Sequence, residues 1–149
     1  MTLHWKLTVD SNDPIAQADF WAAALGYEVE DHSTLIGGLR AQGYLPDDST
    51  EQRYGRDVWR DYAAVRHPDD PYDKAKGVGL GRRLLFQRVP EAKTGKNRLH
   101  LDLHVGAERR AAEIARLEEL GATVLYEQHQ PMGSWTTMAD PEGNEFCVE

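Results

Sequence analysis

One pattern occurs twice in the sequence, as LHWKLTV at residues 3–9 and as LHLDLHV at residues 99–105. In each copy apolar side chains occupy alternate positions, which predicts a β-strand with one face toward a core. The two apolar faces comprise Leu3, Trp5, Leu7 and Val9 in the first copy, and Leu99, Leu101, Leu103 and Val105 in the second. The opposite face of each strand carries polar groups, so we expect His4 and His100 to point away from the core.

A helical pattern follows each of these strands. In the first half, Asp13 can cap a helix that has Pro14 in its first turn and that closes at Gly26. In the second half the pattern ends before Gly121. The apolar stripes comprise Ile15, Ala18, Ala22 and Leu25 in the first helix, and Ala107, Ala111, Ile114, Leu117 and Leu120 in the second. A strand-like run follows both helices, so the sequence predicts an internal repeat that buries its sheets by pairing two copies.

Further strands complete each copy. Residues 81–91 predict a strand that ends at Pro90, with residues 58–68 as its partner, and residues 134–149 predict a hairpin closed by the turn DPEGN. Residues 33–59 have no counterpart in the second half. There we expect a short helix from Ser33 with Leu35, Ile36 and Leu39 on one side. This segment is interpreted either as a cover over one end of a cavity or as a peripheral packing element.

Length and charge limit the class of protein. A chain of 149 residues fits a single domain, residues 1–149, built from two halves. Its 17 basic and 25 acidic side chains leave a net charge of -8, which disfavours nucleic acid as a partner. No run is long enough to span a membrane, and the start does not read as a signal peptide, so we expect a cytoplasmic protein. The one cysteine, Cys147, forms no intrachain disulfide.

These motifs resemble the vicinal oxygen chelate superfamily, and within it the glyoxalase-like branch with the bleomycin-resistance and dioxygenase proteins. The resemblance rests on LHWKLTVD at the start, KNRLHLDLHV in the second copy and MADPEGNEFCV near the end. It implies an α+β fold of tandem βαβββ modules that form a curved mixed sheet around a cavity. Module one would span residues 1–91 with the 33–59 insertion, and module two residues 96–149. The resemblance also implies a homodimer.

Metal-using members of this superfamily bind a divalent ion through side chains on the first and last strands of each module. The resemblance places His4 and His100 at the first-strand positions, Gln87 on the last strand of module one, and Cys147 or Glu145 on that of module two. The ion would be zinc, nickel, manganese or iron acting as a Lewis acid. Glutamine is a weak ligand and a thiolate favours zinc, so the residues leave open a site with a metal and one without.

The remaining candidates are ligand contacts on the cavity side. They are Lys6, Trp59, Gln87, Arg88, Asp102, Trp135 and Met138. The aromatic residues could stack on a planar molecule, although such side chains also build cores. Asp102 could orient a histidine or form an ion pair. Cys147 could equally be a small buried apolar residue, and a lone cysteine is not assigned as a nucleophile.

Two functions therefore compete. In the first, His4 and His100 are catalytic, as metal ligands or as acid and base, in lyase, isomerase or dioxygenase chemistry on a small molecule. In the second, the cavity binds a small molecule without chemistry, as in the superfamily's drug-sequestering resistance proteins. The paired histidines favour the enzyme, and the missing carboxylates favour the binding protein. Lys6, Arg88 and the histidines favour a neutral or anionic ligand.

Overall fold

The computed structural model describes residues Met1–Glu149, and the chain divides into two compact units, Met1–Pro90 and Glu91–Glu149. We refer to them as unit one and unit two. No helix in either unit is both long and apolar enough to cross a membrane.

Unit one contains two helices and a four-stranded mixed sheet. Along the chain its elements are β1 (Leu7–Ser11), α1 (Pro14–Leu25), β2 (Glu28–Val29), α2 (Ser33–Ala41), β3 (Thr50–Arg53), β4 (Arg56–Trp59), β5 (Tyr62–Arg66), β6 (Tyr72–Asp73), β7 (Val78–Gly79) and β8 (Arg83–Arg88). The sheet has the order β1-β8-β5-β2, with β1 parallel to β8 and the other neighbours antiparallel. The pairs β3–β4 and β6–β7 form separate two-stranded hairpins.

Unit two repeats this topology with fewer elements. Its chain order is β9 (Asp102–Leu103), α3 (Ala107–Glu119), β10 (Thr123–Gln130), β11 (Gly133–Ala139) and β12 (Glu145–Val148). The sheet order is β9-β12-β11-β10, again with the first and last strands parallel and the others antiparallel. The predicted α+β class and the tandem βαβββ arrangement are therefore confirmed.

Helix α1 forms as its sequence predicts. Asp13 is the N-cap and accepts a hydrogen bond from the backbone N–H of Ala16 at 3.2 Å. Pro14 opens the first turn, where a missing N–H costs nothing, and Gly26 ends the helix with φ +67°, a left-handed conformation suited to glycine. The helix packs on β5 and β8, and Phe20 lies edge-on against Trp21 with ring centroids 5.3 Å apart. Burying each such side chain contributes about 2–3 kcal/mol.

The two histidine strands are shorter than predicted, and the prediction that Leu3 and Trp5 face the core is wrong. Strand β1 begins at Leu7, which already pairs with Leu84, near the start of β8. Residues 3–5 would lie beyond Arg83, the first residue of β8, where they have no neighbouring strand to pair with, and Leu3 is 80% and Trp5 86% exposed. In unit two β9 is confined to Asp102–Leu103. Leu99 likewise lies outside the sheet and is 78% exposed.

Helix α3 forms where predicted, but most of its predicted stripe is not buried. Only Leu117 is fully buried, Ile114 is half-buried, and Ala107, Ala111 and Leu120 are exposed. The physical reason is that α3 contacts its own sheet chiefly along β10. This contact covers the helix around Leu117 and leaves its first turns exposed to solvent.

The 33–59 segment builds structure of its own. Helix α2 confirms the predicted helix from Ser33, with Ile36 fully buried and Leu35 and Leu39 half-buried. The hairpin β3–β4 follows, with a two-residue turn at Tyr54 and Gly55 that the sequence analysis did not predict.

Candidate functional site

Three predicted site residues converge in unit two, where β9 runs parallel to β12. Asp102 lies opposite Cys147 in the register of these strands, and His100 precedes Asp102 by two positions on the same face. One nitrogen of His100, one carboxylate oxygen of Asp102 and Sγ of Cys147 all lie within 4.8 Å of one another. We call these three residues the unit-two cluster.

Hydrogen bonding and burial shape the cluster. His100 Nε2 lies 3.3 Å from Asp102 Oδ1, so the carboxylate can orient the imidazole. Cys147 is buried, and its Sγ lies 3.6 Å from Oγ1 of Thr137 on the adjacent strand β11. Burial, the largest effect, raises the pKa of the Cys147 thiol; the contact with Thr137 lowers it, and the charge and hydrogen bond of Asp102 and the charge of Glu149 raise it again. The thiol is therefore protonated at neutral pH unless a cation displaces its proton.

The donor set fits a divalent metal. Imidazole nitrogen, carboxylate oxygen and thiolate sulfur are the ligands that zinc takes in proteins, and one ion can reach all three atoms at this spacing. Three protein ligands leave a coordination position open, which is typical of catalytic zinc sites and untypical of structural ones.

Glu145, the alternative to Cys147 as a ligand, has other partners. Its carboxylate accepts a hydrogen bond from Lys93 Nζ at 3.1 Å and one from the backbone N–H of Asn97 at 2.9 Å. Burial raises the pKa of Glu145, but the hydrogen bonds from Asn97, from its own backbone N–H and from Lys93, together with the charge of Lys93, outweigh it and leave the pKa below its usual range. The structure thus ties Glu145 to the segment that precedes β9.

The two predicted ligand contacts on β11 lie on different faces. Trp135 is half-buried and shares the face of Thr137 and Cys147. Met138 pairs with Phe146 on the opposite face and is fully buried. The structure therefore places Trp135 on the face of the unit-two cluster and Met138 in the core of unit two.

In unit one the predicted residues do not converge in the same way. His4 and Lys6 are exposed and precede β1. Gln87 lies in the register between Asp10 on β1 and Tyr62 on β5. The catalytic role predicted for His4 stays a prediction.

Arg88 is held by groups of unit one itself. Its guanidinium donates to Asp61 Oδ1 at 3.0 Å and to the carbonyl oxygen of Arg60 at 2.9 Å, and it also bonds the carbonyl oxygen of Asn12. Together these bonds join the ends of β1, β5 and β8.

Trp59 lines a small cleft in unit one, together with residues that the sequence analysis did not select. The cleft is narrow, with room inside for about one water molecule. Its walls comprise Ile15, Val29, Glu30, His32, Tyr54, Val58, Trp59, Tyr62, Ala63 and Ala64. We call it the unit-one cleft. Glu30 lies in the strand-like run after the first helix, one position after the apolar Val29, so alternation would place it on the opposite face and no signal in the sequence marks Glu30 as buried.

Comparison with known families identifies the fold. The sequence pattern of the glyoxalase-like domain matches residues 6–149. The chain belongs to the glyoxalase-like family. The match takes in both units, all of the unit-two cluster and the 33–59 segment. No curated protein matches this glyoxalase-like chain by sequence.

Solved structures similar to this glyoxalase-like protein include several resistance proteins and enzymes. A glyoxalase/bleomycin resistance protein/dioxygenase family enzyme from Burkholderia phytofirmans PsJN is 13% identical, with a TM-score of 0.57 over 96% of this chain and 94% of that one. The fosfomycin resistance protein FosX from Mesorhizobium loti is 9% identical, with a TM-score of 0.60 over 100% and 91%.

A FosX variant from Listeria monocytogenes, in complex with Mn(II) and 1S,2S-dihydroxypropylphosphonic acid, is 10% identical. Its TM-score is 0.59 over 100% of this chain and 90% of that one. Identities this low establish a shared fold, and the function of this chain has to be argued from its own residues.

Proposed function

We propose that this glyoxalase-like protein binds a small, oxygen-bearing molecule at the unit-two cluster, next to one divalent metal ion held by His100, Asp102 and Cys147. The observation that carries the proposal is the convergence of three metal-binding atoms within 4.8 Å at the junction of β9 and β12. Zinc suits this set best because it contains a thiolate.

Each residue of the cluster would have a defined task. His100 Nε2 and Asp102 Oδ1, 3.3 Å apart, would both bind the ion, Thr137 hydrogen-bonds the sulfur of Cys147, and the half-buried Trp135 offers an aromatic surface on the same face. When bound, the metal supplies Lewis acidity toward oxygen atoms of the ligand. The Mn(II) and phosphonate of the Listeria FosX complex support the choice of an oxygen-rich ligand by analogy of fold. The metal-binding roles of His4 and Gln87 in unit one stay predictions.

The reaction class follows from the same residues. Lyase, isomerase or dioxygenase-type chemistry would use the open position on the metal. One observation favours binding without turnover: Glu145, which lies two residues before Cys147, is bonded to Lys93 and Asn97 and so is not free to act as a base. Binding of a small molecule without chemistry is therefore the second candidate function.

The test is metal binding with cobalt as a reporter. We expect one equivalent of zinc per chain, and a Co(II)-substituted protein with a sulfur-to-cobalt charge-transfer band that disappears in Cys147→Ser. His100→Ala should weaken zinc binding by about tenfold or more. His104→Ala is the matched control, since His104 is an exposed histidine of the same segment that pairs with Glu149 at 2.7 Å, and it should leave zinc affinity unchanged.

A protein that takes up no metal under any condition, or whose cobalt spectrum lacks the sulfur band, would contradict the metal proposal. Turnover separates the two functions once metal binding is established. Small-molecule binders found by thermal shift are incubated with the zinc-loaded protein and followed by mass spectrometry. Conversion that His100→Ala abolishes supports an enzyme, and binding with unchanged ligand supports the second candidate.

A further inference from the structure

We propose that unit one has no metal site of its own, because the guanidinium of Arg83 occupies the position in unit one that corresponds to Cys147 in unit two. Unit one then carries a fixed protein cation where unit two binds a metal ion through its cluster. The comparison takes the unit-two cluster as a metal site and in that respect rests on the proposed function.

Strand pairing defines which positions of the two units correspond. The repeated patterns LHWKLTV and LHLDLHV align Leu7 with Leu103. Leu7 pairs with Leu84 in the parallel strands β1 and β8, and Leu103 pairs with Val148 in the parallel strands β9 and β12. Leu84 and Val148 therefore hold the same place in the two sheets.

One position before these pairs, the two units carry opposite kinds of side chain. In unit two, Asp102 pairs with Cys147, and both belong to the unit-two cluster. The residue of unit one that corresponds to Asp102 is Lys6. The residue that corresponds to Cys147 is Arg83. Unit one thus has two cations in place of two metal ligands, and cations repel a divalent ion.

The carboxylate beside Arg83 has no oxygen lone pair left for a metal. The side chain of Glu30 is completely buried, and that of Arg83 is only 9% exposed. Arg83 donates from Nε and Nη2 at 2.8 Å, one bond to each oxygen of Glu30. The backbone N–H of Gly79 donates to Oε1 at 2.8 Å, and Nε2 of His32 lies 2.8 Å from Oε2. A carboxylate has about four lone-pair sites, so these four donors occupy Glu30 fully.

Both charges of this ion pair persist at neutral pH. Burial raises the pKa of Glu30, but the hydrogen bonds from His32, Arg83 and Gly79, together with the charge of Arg83, outweigh it and bring the pKa down to about 2. A guanidinium is not deprotonated in proteins. Arg83 is therefore a permanent cation held in place by Glu30, and a chelator cannot remove it as it removes a metal.

Gln87, the ligand that the family resemblance implies for unit one, lies farther along the same strand. It pairs with Asp10 and Tyr62 and follows Arg83 by four residues. At about 3.3 Å per residue, it lies about 13 Å from the position that corresponds to Cys147. Ligands of one zinc ion lie within about 5 Å of one another, and side chains stand roughly perpendicular to a sheet. Gln87 therefore does not take the place of Cys147.

Transplanted ligands and cobalt binding test this correspondence. All variants carry Cys147→Ser, which removes the only cysteine, so any sulfur-to-cobalt band arises from an introduced cysteine. Lys6→Asp with Arg83→Cys gives unit one the ligand pair of unit two, next to His4. Glu30→Gln is added so that no buried carboxylate is left without its counter-charge. This variant should bind cobalt and regain the sulfur band.

The matched control is Lys6→Asp with Gln87→Cys in the same background. It introduces a cysteine at the position that the family resemblance implies and leaves the ion pair of Glu30 and Arg83 intact. We expect no sulfur band from it.

Three results would each overturn the proposal. The first is a sulfur band in the Gln87→Cys control, and the second is its absence from an Arg83→Cys variant that is folded by circular dichroism. The third is stoichiometric zinc in Cys147→Ser with His100→Ala that His4→Ala then removes. The first and third decide the matter even if the Arg83→Cys variant does not fold. A wild type that binds no metal contradicts the proposed function alone and leaves the transplant test unaffected.

Discussion

The contribution of Glu30 to stability depends on the groups that surround its side chain. It is a carboxylate in the core of unit one, where an unpaired charge would be strongly unfavourable. Arg83, His32 and Gly79 together occupy both of its oxygens. Replacing a buried ion pair by apolar groups is often neutral, whereas removing one partner leaves the other buried and unpaired. The pair is therefore best tested by removing one charge.

We predict that Glu30→Gln lowers the free energy of unfolding at pH 7 by about 3–5 kcal/mol, because it leaves Arg83 buried without its counter-charge. The measurement is urea unfolding followed by circular dichroism. Glu28→Gln is the matched control: Glu28 pairs with Arg66, but its side chain is 54% exposed, so its loss should cost less than about 1 kcal/mol. Equal losses in the two variants would show that the Glu30 pair is not the stronger one.

The same carboxylate predicts a pH dependence. The pKa of Glu30 is about 2 in the folded chain against an ordinary 4.5. A depressed pKa stabilises the fold above pH 4.5, and this contribution, about 3 kcal/mol, is lost as the pH falls from 4.5 to 2. The stability difference between wild type and Glu30→Gln should therefore shrink over that window, measured by urea unfolding at intervals of half a pH unit. A difference that stays constant down to pH 2 would contradict the low pKa.

At the scale of elements, local sequence predicts the ends of helix α1 but does not predict which residues of helix α3 are buried. Helix α1 has a side-chain cap, a proline in its first turn and a glycine at its end, and all three appear in the structure as the sequence predicts. Helix α3 has no side-chain cap and buries only Leu117 completely. Its apolar spacing predicts a helix correctly but does not determine how much of the helix its own sheet covers.

The short helix α2 offers a stabilising change. Gly37 lies inside it, and a Cβ added there meets no atom within 4 Å. We predict that Gly37→Ala raises the free energy of unfolding by about 0.5–1 kcal/mol, because alanine loses less backbone entropy in a helix than glycine. Thermal and urea unfolding measure it. A loss of stability would mean that α2 does not persist in solution as a helix.

The turn of the β3–β4 hairpin should respond to the same substitution with the opposite sign. Gly55 has φ +72°, and a Cβ there meets no atom within 4 Å, so only the backbone conformation opposes a side chain. We predict that Gly55→Ala lowers the free energy of unfolding by about 1–2 kcal/mol. Gly37→Ala is the matched control, since it makes the same chemical change at an ordinary φ. Equal effects at the two positions would contradict the left-handed turn.

At the scale of the whole molecule, the two sheets have the same strand order, and each retains large exposed apolar side chains at its histidine segment. Trp5 and Leu3 in unit one, and Leu99 in unit two, are at least 78% exposed in the single chain. Leu3 and Trp5 lie two residues apart in one segment, and exposed apolar side chains so close in sequence are typical of an interaction surface. The homodimer predicted from the family resemblance therefore gains a specific candidate contact, and the cytoplasmic location stays a prediction.

We predict that the protein sediments as a dimer and that Trp5→Ser raises the dimer dissociation constant by about tenfold, because a buried tryptophan at an interface contributes more than 1 kcal/mol. Analytical ultracentrifugation over a concentration series measures this. Leu80→Ser is the control, since Leu80 is also an exposed leucine of unit one, 66% exposed, and lies outside the N-terminal segment. A wild-type monomer at all concentrations, or equal effects of both variants, would refute the contact.

The sequence by itself determined the fold class, the internal repeat and the ends of α1, because alternation, helical spacing and capping are local properties of consecutive residues. It also identified His100 and Asp102 as candidates, since polar residues on alternate positions of a strand share a face, whereas Cys147 was predicted from the family resemblance. Tertiary structure alone decided that Glu145 is bonded to Lys93, that Met138 lies in the core, and that Glu30 is buried beside His32. Each of these depends on contacts between residues distant in the sequence, and on how much of each strand is paired with a neighbouring strand. Spacing along the chain does not contain that information.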